Sequence, residues 1–261
     1  MQRNEKPAVC FDVLIISGAR PKLLEQTLIS FEENLFRNIE LNDCYINIDP
    51  FEGGSEDVEA CETICKNFFT KVIANKPETP HFTKAVRWLW SAPKTKWCLH
   101  MEDDWLLRRP IELNEILGAM KRDVTQLSFM TKEKFWKYRS NFHYKPNRRK
   151  LFGIDLGKGL DKSRPIFSTS PCFIETNFAK QCASLMTDKL DPEKQLNKIN
   201  APLSEYTSQF RNHFIGSRTD HVAIDIGREH RAELGISKEV IDGQSYWRSD
   251  VEQAKKHQNS T

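Results

Sequence analysis

The chain has no apolar run long enough to cross a bilayer, so no transmembrane helix is expected. Its first apolar stretch, residues 9–16, is broken by Asp12 and lacks the layout of a signal peptide, which makes cytoplasmic residence the expectation. A zinc ligand pattern is also missing. The seven cysteines are scattered, and although Cys61 and Cys65 share a helical spacing, no second Cys/His pair completes a metal set. An odd number of scattered thiols argues against a secreted disulfide framework. Charge of one sign is lacking too: a formal net charge of +3 is too small to imply nucleic-acid binding by itself. No internal repeat is present. At 39% hydrophobic and 29% charged residues, the composition is that of a soluble globular protein. Its 261 residues suffice for one large core, with or without an appended subdomain.

What the sequence does contain is alternation of strand and helix patterns. Residues 11–17 (Phe-Asp-Val-Leu-Ile-Ile-Ser) read as a buried strand ended by Gly18. Pro21 opens a helix whose core face is Leu23, Leu24, Thr27, Leu28 and Phe31. Strands are predicted at 44–48, 71–74, 97–101 and 125–130, with helices at 57–69, 82–90 and 111–120 between them. That order predicts an α/β sandwich with a mainly parallel sheet. Further on, the pattern predicts a strand over 167–175 near the sheet edge and helices over 177–186 and 203–214. Another helix begins at Asp191, as N-cap, with Pro192 in the first turn. A late strand is predicted at 222–226, and the tail after Asp250 is polar.

Three consecutive carboxylates, Glu102-Asp103-Asp104, follow the predicted strand at 97–101. Mutual repulsion makes such a cluster unfavourable beside a buried strand unless a cation or cationic ligand sits there. Hard divalent ions such as Mg²⁺ and Mn²⁺ take carboxylate oxygens and keep positions open for phosphate. Strand ends of open α/β sheets are also where nucleotides bind. The competing reading is a solvated acidic turn.

Ser17-Gly18-Ala19-Arg20, Asp49-Pro50 and Glu102-Asp103-Asp104 all fall at the carboxyl ends of early strands. This arrangement, over about residues 12–105, resembles the GT-A fold of nucleotide-sugar-dependent glycosyltransferases. Residues 16–31 are similar to that family's opening strand, arginine and following helix, and Glu102-Asp103-Asp104 is similar to its DxD-type motif. The resemblance implies a GT-A-like, Rossmann-type α/β sandwich with a mainly parallel central sheet flanked by helices. It implies one domain over 1–250, with a nucleotide-sugar half at about 9–130, an acceptor half at about 131–250, and a polar tail at 251–261. It further implies a nucleotide-sugar donor, with a UDP-sugar favoured, and Mn²⁺ or Mg²⁺ as cofactor.

By the same resemblance Asp49 contacts the nucleotide base, Asp103 the ribose and Asp104 the metal, with Glu102 orienting either or joining the metal. The usual acid-plus-serine continuation after Asp49 is replaced here by Pro50-Phe51. Ser17, Arg20 and Lys84 are candidates for the nucleotide and its phosphates, and Arg228 beside Gly227 for the diphosphate. His221 and Asp225, with His230 behind them, are candidates for a late metal ligand. The base that takes the acceptor proton is placed at Glu193, with Glu205 as second choice; Asp191 is explained as a helix cap. For each of these the competing reading is an ordinary surface, strand-end or helix-cap residue. Residues 132–150 interleave bases and aromatics with a single acid, which suits an anionic acceptor, either nucleic acid with modified bases or an acidic glycan. The competing reading is a loop whose aromatics pack on the core and whose cations are solvated. Two other functions remain open. A nucleotidyltransferase would carry a glycine-rich basic loop after its first strand, which Ser17-Gly18-Ala19-Arg20-Pro21 lacks. A non-catalytic nucleic-acid- or polyanion-binding module would be indifferent to metal and sugar nucleotide.

Overall fold

A computed structural model of the chain describes residues 9–134, 136–151, 154–241 and 244–249; the tail expected at 251–261 lies outside them. Strand β1 (Cys10–Ser17) alternates between two apolar layers, sending Phe11, Val13 and Ile15 into one and Leu14 and Ile16 into the other. Helix α1 (Pro21–Asn34) opens on proline, where the missing N–H has no partner to lose, and buries Leu24, Thr27, Leu28 and Phe31. The alternation continues through β2 (Glu40–Ile48), α2 (Ser55–Phe68), β3 (Val72–Asn75), α3 (Phe82–Ser91) and β4 (Trp97–Glu102). Next come β5 (Trp105–Leu107), α4 (Leu113–Ala119) and β6 (Val124–Phe129). A ribbon of β7 (Tyr144–Leu151) and β8 (Ile154–Pro165) precedes β9 (Cys172–Glu175) and α5 (Thr176–Leu185). Helix α6 (Pro192–Lys194) runs on as a π-helical turn, Gln195–Ile199, and is followed by α7 (Ala201–Thr207). The last described elements are β10 (Arg211–Ile215), β11 (Ala223–Asp225), α8 (Gly227–Glu233) and the hairpin of β12 (Ile236–Ile241) and β13 (Gln244–Ser249).

Seven strands form the central sheet in the order β10-β6-β9-β4-β1-β2-β3. All neighbours are parallel except at β9, which runs antiparallel to both β4 and β6. One face is covered by α1, α2 and α4, the other by α3, α5 and α7. Full burial of a side chain such as Phe31 or Phe173 contributes about 1.5–3 kcal/mol. Among the described residues no helix is long and apolar enough to cross a membrane.

Three expectations change. The strand foreseen near the sheet edge is the shorter β9, in the middle of the sheet, with Cys172, Phe173 and Ile174 buried. A continuous apolar run marks burial on both faces but not position in the sheet. The helix foreseen at 203–214 stops at Thr207, and its second part is the edge strand β10. There the buried Asn212 amide donates to Gln126, Ser128 and the Ile166 carbonyl, contacts that hold the segment extended against β6. The weakly patterned region after β6 contains the β7–β8 ribbon.

Asp12 is fully buried on β1. Its Oδ2 accepts the Lys94 and Thr95 backbone N–H groups at 2.6 and 2.9 Å, and its Oδ1 accepts Asn42 Nδ2 at 2.8 Å and the Asp43 N–H at 3.2 Å. The carboxylate thus ties the turn that enters β4 to the start of β2. Burial raises its pKa, but the N–H donors outweigh burial and hold it below the ordinary carboxylate value. A depressed folded-state pKa gives stability that is present above the unfolded value near 3.8 and is lost as pH falls through the folded one. Asp12→Asn should therefore cost about 2 kcal/mol at neutral pH, from lost hydrogen bonds to a charged acceptor. Urea titrations at pH 7 and below pH 4 check this, because the gap between variant and wild type should shrink in acid. An equal gap at both pH values would refute it.

Candidate functional site

A cavity of about 870 Å³ opens at the carboxyl ends of β1, β2 and β4 and extends under the loops that follow β6 and precede β9 and α6. Such a strand-end crevice is the usual ligand position in an open α/β sheet. Its wall holds Ser17, Arg20, Asp49 and Lys84 together with the acid triplet. It also holds Glu193, Asp225 and Arg228.

The turn after β1 is organised by Asp103. Its Oδ2 accepts the Gly18 N–H and the Ser17 hydroxyl, both at 2.8 Å, and Arg20 Nε at 3.3 Å, while Oδ1 takes Arg20 Nη2. Ala19 sits in this turn at φ 55°, a left-handed conformation that an alanine holds only under tertiary constraint. Arg20 Nη2 also reaches Asp104 Oδ2 at 2.9 Å, and Nη1 reaches Glu52 Oε1 at 3.5 Å. Burial disfavours the guanidinium charge, but Asp103, Asp104 and Glu52 more than compensate and raise its pKa above the usual arginine value. Asp103 is 1% exposed with both oxygens engaged, so it braces Arg20 from inside the wall.

A second, two-stranded sheet brings the late segment to the acids. β11 pairs antiparallel with β5, setting Asp225 opposite Trp105. The Thr27 and Ser30 hydroxyls of α1 accept the Trp105 and Leu107 N–H groups, which seats β5 on the core. Ile226 N–H then donates to the Asp104 carbonyl, and the chain passes so close that any Cβ at Gly227 would overlap the Asp104 carboxylate. From α8, Arg231 Nη1 meets Asp104 Oδ2 at 3.2 Å and His230 Nε2 lies 2.7 Å from Glu52 Oε2. Arg228 Nε pairs with Asp225 at 3.1 Å.

Burial, then the Asp104 charge, pushes Glu102 up to about 8, although Trp105 Nε1 donates to it at 2.9 Å. Burial, then Asp103, pushes Asp104 up to about 6 against the pull of Arg20. The site therefore carries more carboxylate than its arginines neutralise. Among the described residues no three His, Cys, Asp or Glu side chains could by themselves hold an ion. Mg²⁺ and similar ions are commonly held by one or two carboxylates plus substrate phosphate, and the hard oxygens of Asp104 and Asp225 fit that mode.

At the other end of the strand edge, Asp49 Oδ1 accepts Asn47 Nδ2 at 2.8 Å and Oδ2 accepts the His81 N–H at 3.2 Å. Burial raises the Asp49 pKa. Lys84 stands exposed at the rim. Across the cavity, the Thr169 N–H donates to Glu193 Oε1 at 3.1 Å. Glu205 is exposed on α7 outside the cavity, and His221 is also absent from its lining. Sequence reasoning missed Glu52, Lys134 and Arg231. Arg231 lies on the same short helix as Arg228, a usable signal, whereas nothing local distinguishes Lys134 from its basic neighbours. Of the aromatics foreseen as a stacking platform, Trp136 packs 5.2 Å from Phe214 and donates to the Ser140 carbonyl, and Tyr144 is buried.

No protein-family model and no curated protein sequence matches the chain. Solved structures do match in fold. Mannosyltransferase PcManGT from Pyrobaculum calidifontis, solved with GDP-Man and Mn²⁺, aligns over 81% of this chain and 55% of its own, at TM-score 0.53 and 8% identity. Residues 1–349 of TarS from S. aureus align over 85% of this chain and 62% of their own, at TM-score 0.53 and 11% identity. The chain thus spans little more than half the length of these structures. The fold is the GT-A-type α/β sandwich.

Lys134 lines the cavity, with its ammonium 5.9 Å from the Phe214 ring centre and no ion pair among the described residues. Burial lowers its pKa although Glu193 opposes the shift. A charge kept at such a cost to the fold is the pattern of a functional site. Lys134→Met, of similar length, should raise the melting temperature by roughly 2–4 °C per kcal/mol recovered. Thermal unfolding at neutral pH reads this, and a lower melting temperature would show the ammonium to be structural.

Proposed function

We propose that the protein is a metal-dependent glycosyltransferase that moves a sugar from a nucleotide-sugar donor, by preference a UDP-sugar, to an anionic acceptor such as modified DNA or an acidic glycan. The observation that carries this reading is the convergence of Glu102, Asp104 and Asp225 with Arg20, Arg228 and Arg231 at the strand edge, facing Glu193 across one cavity. The structure of PcManGT with GDP-Man and Mn²⁺ supports the donor class.

A nucleotide-sugar reaction builds negative charge on the diphosphate as the glycosidic bond breaks. Arg20, Arg228 and Arg231 supply positive charge for it. Asp104 and Asp225, with Glu102 beside them, would hold Mn²⁺ or Mg²⁺, which would supply Lewis-acid stabilisation of the same charge. Ser17 and Asp103 keep Arg20 in place. Asp49, fixed by Asn47 and the His81 backbone, turns its remaining lone pairs toward N–H groups of a base, with Lys84 at the rim for phosphate. Glu193 accepts the acceptor hydroxyl proton while that oxygen attacks the anomeric carbon and the bonding pair leaves with the diphosphate. The Thr169 N–H fixes Oε1, and Oε2 takes no hydrogen bond among the described residues.

Asp104→Asn should abolish the Mn²⁺-dependent part of nucleotide diphosphate binding and leave the protein folded. Calorimetry with and without Mn²⁺, paired with a melting curve, checks it. Wild-type affinity in the variant would overturn the metal assignment and return the non-catalytic module to favour.

Glu193→Gln should lower sugar transfer by about 10²–10⁴-fold while donor affinity is unchanged, since the base acts on the acceptor proton. Loss of transfer in Glu205→Gln instead would move the role there. Normal transfer in both would favour a retaining mechanism.

A further inference from the structure

Among the described residues, the β7–β8 ribbon pairs with no strand of the central sheet. It is rooted where Phe142 bridges His213 of the edge strand β10 and where the Ile166 N–H donates to the His143 carbonyl. Leu160 packs there against the cluster of Met130, Trp136 and Phe214. Trp136 and Tyr144 are buried at this root, and the ribbon itself is rich in charge. Residues 144–165 carry seven Lys or Arg and two Asp, a surplus of five, so the rest of the chain, whose total is +3, is net −2. Arg148 stands directly opposite Lys158, both exposed, and Lys162 and Arg164 are exposed as well. Like charges facing across a strand pair repel each other.

We propose that the ribbon is a docking surface for nucleic acid, laid along it by its phosphodiester backbone, and that this polymer carries the acceptor hydroxyl; the second clause rests on the glycosyltransferase reading. Regularly spaced phosphates are the complement of a linear array of lysines and arginines. A two-stranded ribbon is narrow enough to enter a major groove, and eight residues of β7 extend about 26 Å, most of a helical turn. The ribbon leaves the sheet at its β10–β6 edge, and the loop after β6 supplies Thr131 and Lys134 to the cavity wall on the side opposite the nucleotide strands. Nucleic acid on the ribbon would thus be anchored at the sheet edge whose following loop supplies Thr131 and Lys134 to the cavity. The 870 Å³ cavity leaves room for an extruded nucleoside next to the donor.

The test compares wild type with a variant carrying Arg148→Ser, Lys158→Ser, Lys162→Ser and Arg164→Ser. Binding of a labelled DNA duplex of about two helical turns is measured by anisotropy over a series of KCl concentrations. The variant should bind at least about tenfold more weakly near 0.1 M salt, and its slope of log affinity against log salt should be shallower by about 0.9 for each phosphate no longer neutralised. Melting temperature and Mn²⁺-dependent nucleotide diphosphate binding, read on the same samples, should match wild type. Unchanged DNA affinity and slope in the variant would overturn the proposal. So would wild-type preference for chondroitin sulfate or for phosphatidylglycerol vesicles over DNA. DNA docking is measured without donor, so a wild type that binds DNA through the ribbon but no nucleotide diphosphate would overturn the glycosyltransferase reading and the acceptor role with it, and leave the docking surface standing.

Discussion

The rest of the site hangs on the buried charge lattice around Arg20. Asp103 and Asp104 lie inside the wall at 1% and 5% exposure, where an unpaired carboxylate would cost several kcal/mol of desolvation. One guanidinium meets both of them and Glu52 as well. Through those contacts the turn after β1, the end of β4 and the loop after β2 become one rigid body. Arg231 extends the lattice to α8, so the late chain segment is bound to the same acids as the first strand. Removing Arg20 would leave Asp103 as an uncompensated buried charge, and the same contacts hold the left-handed turn at Ala19 in place.

Within that lattice the balance of charge is deliberately incomplete. Glu102 and Asp104 are pushed up to about 8 and about 6 by burial and by neighbouring carboxylates, so the acids hold repulsion that a bound cation relieves. The arginines alongside them are the natural partners of a diphosphate. Arg231 lies between Asp104 and Asp225 and faces the same cavity.

Charge is also partitioned over the molecule as a whole. A near-neutral total conceals a cationic ribbon on a slightly acidic body. The ribbon concentrates its positive field along one edge of the molecule, while the body carries a small negative surplus. Lys134 brings a further positive charge into the cavity wall, close to the ribbon root.

Local pattern made the first half of the chain legible. Strand runs ended by Gly18, by Asp49-Pro50 and by the acid triplet, and the helix opened by Pro21, all reflect backbone preferences and apolar periodicity over a few residues. Those signals placed Ser17, Arg20, Asp49 and Glu102 to Asp104 at one edge, and the structure gathers them there. Three-dimensional packing alone decided the rest. Asp225 reaches Asp104 only because β11 pairs with β5, and β9 sits in mid-sheet because β4 and β6 leave a doubly buried slot for it. Residues 211–215 extend because Asn212 finds Gln126 and Ser128, although their own pattern suited a helix. Glu205 and Glu193 look alike in sequence, yet only Glu193 faces the cavity. The sequence by itself determined the elements and the early strand-end acids, since these depend on neighbours along the chain. Tertiary structure decided the company those acids keep, because pairing and burial between distant segments depend on shape and charge that no short window contains.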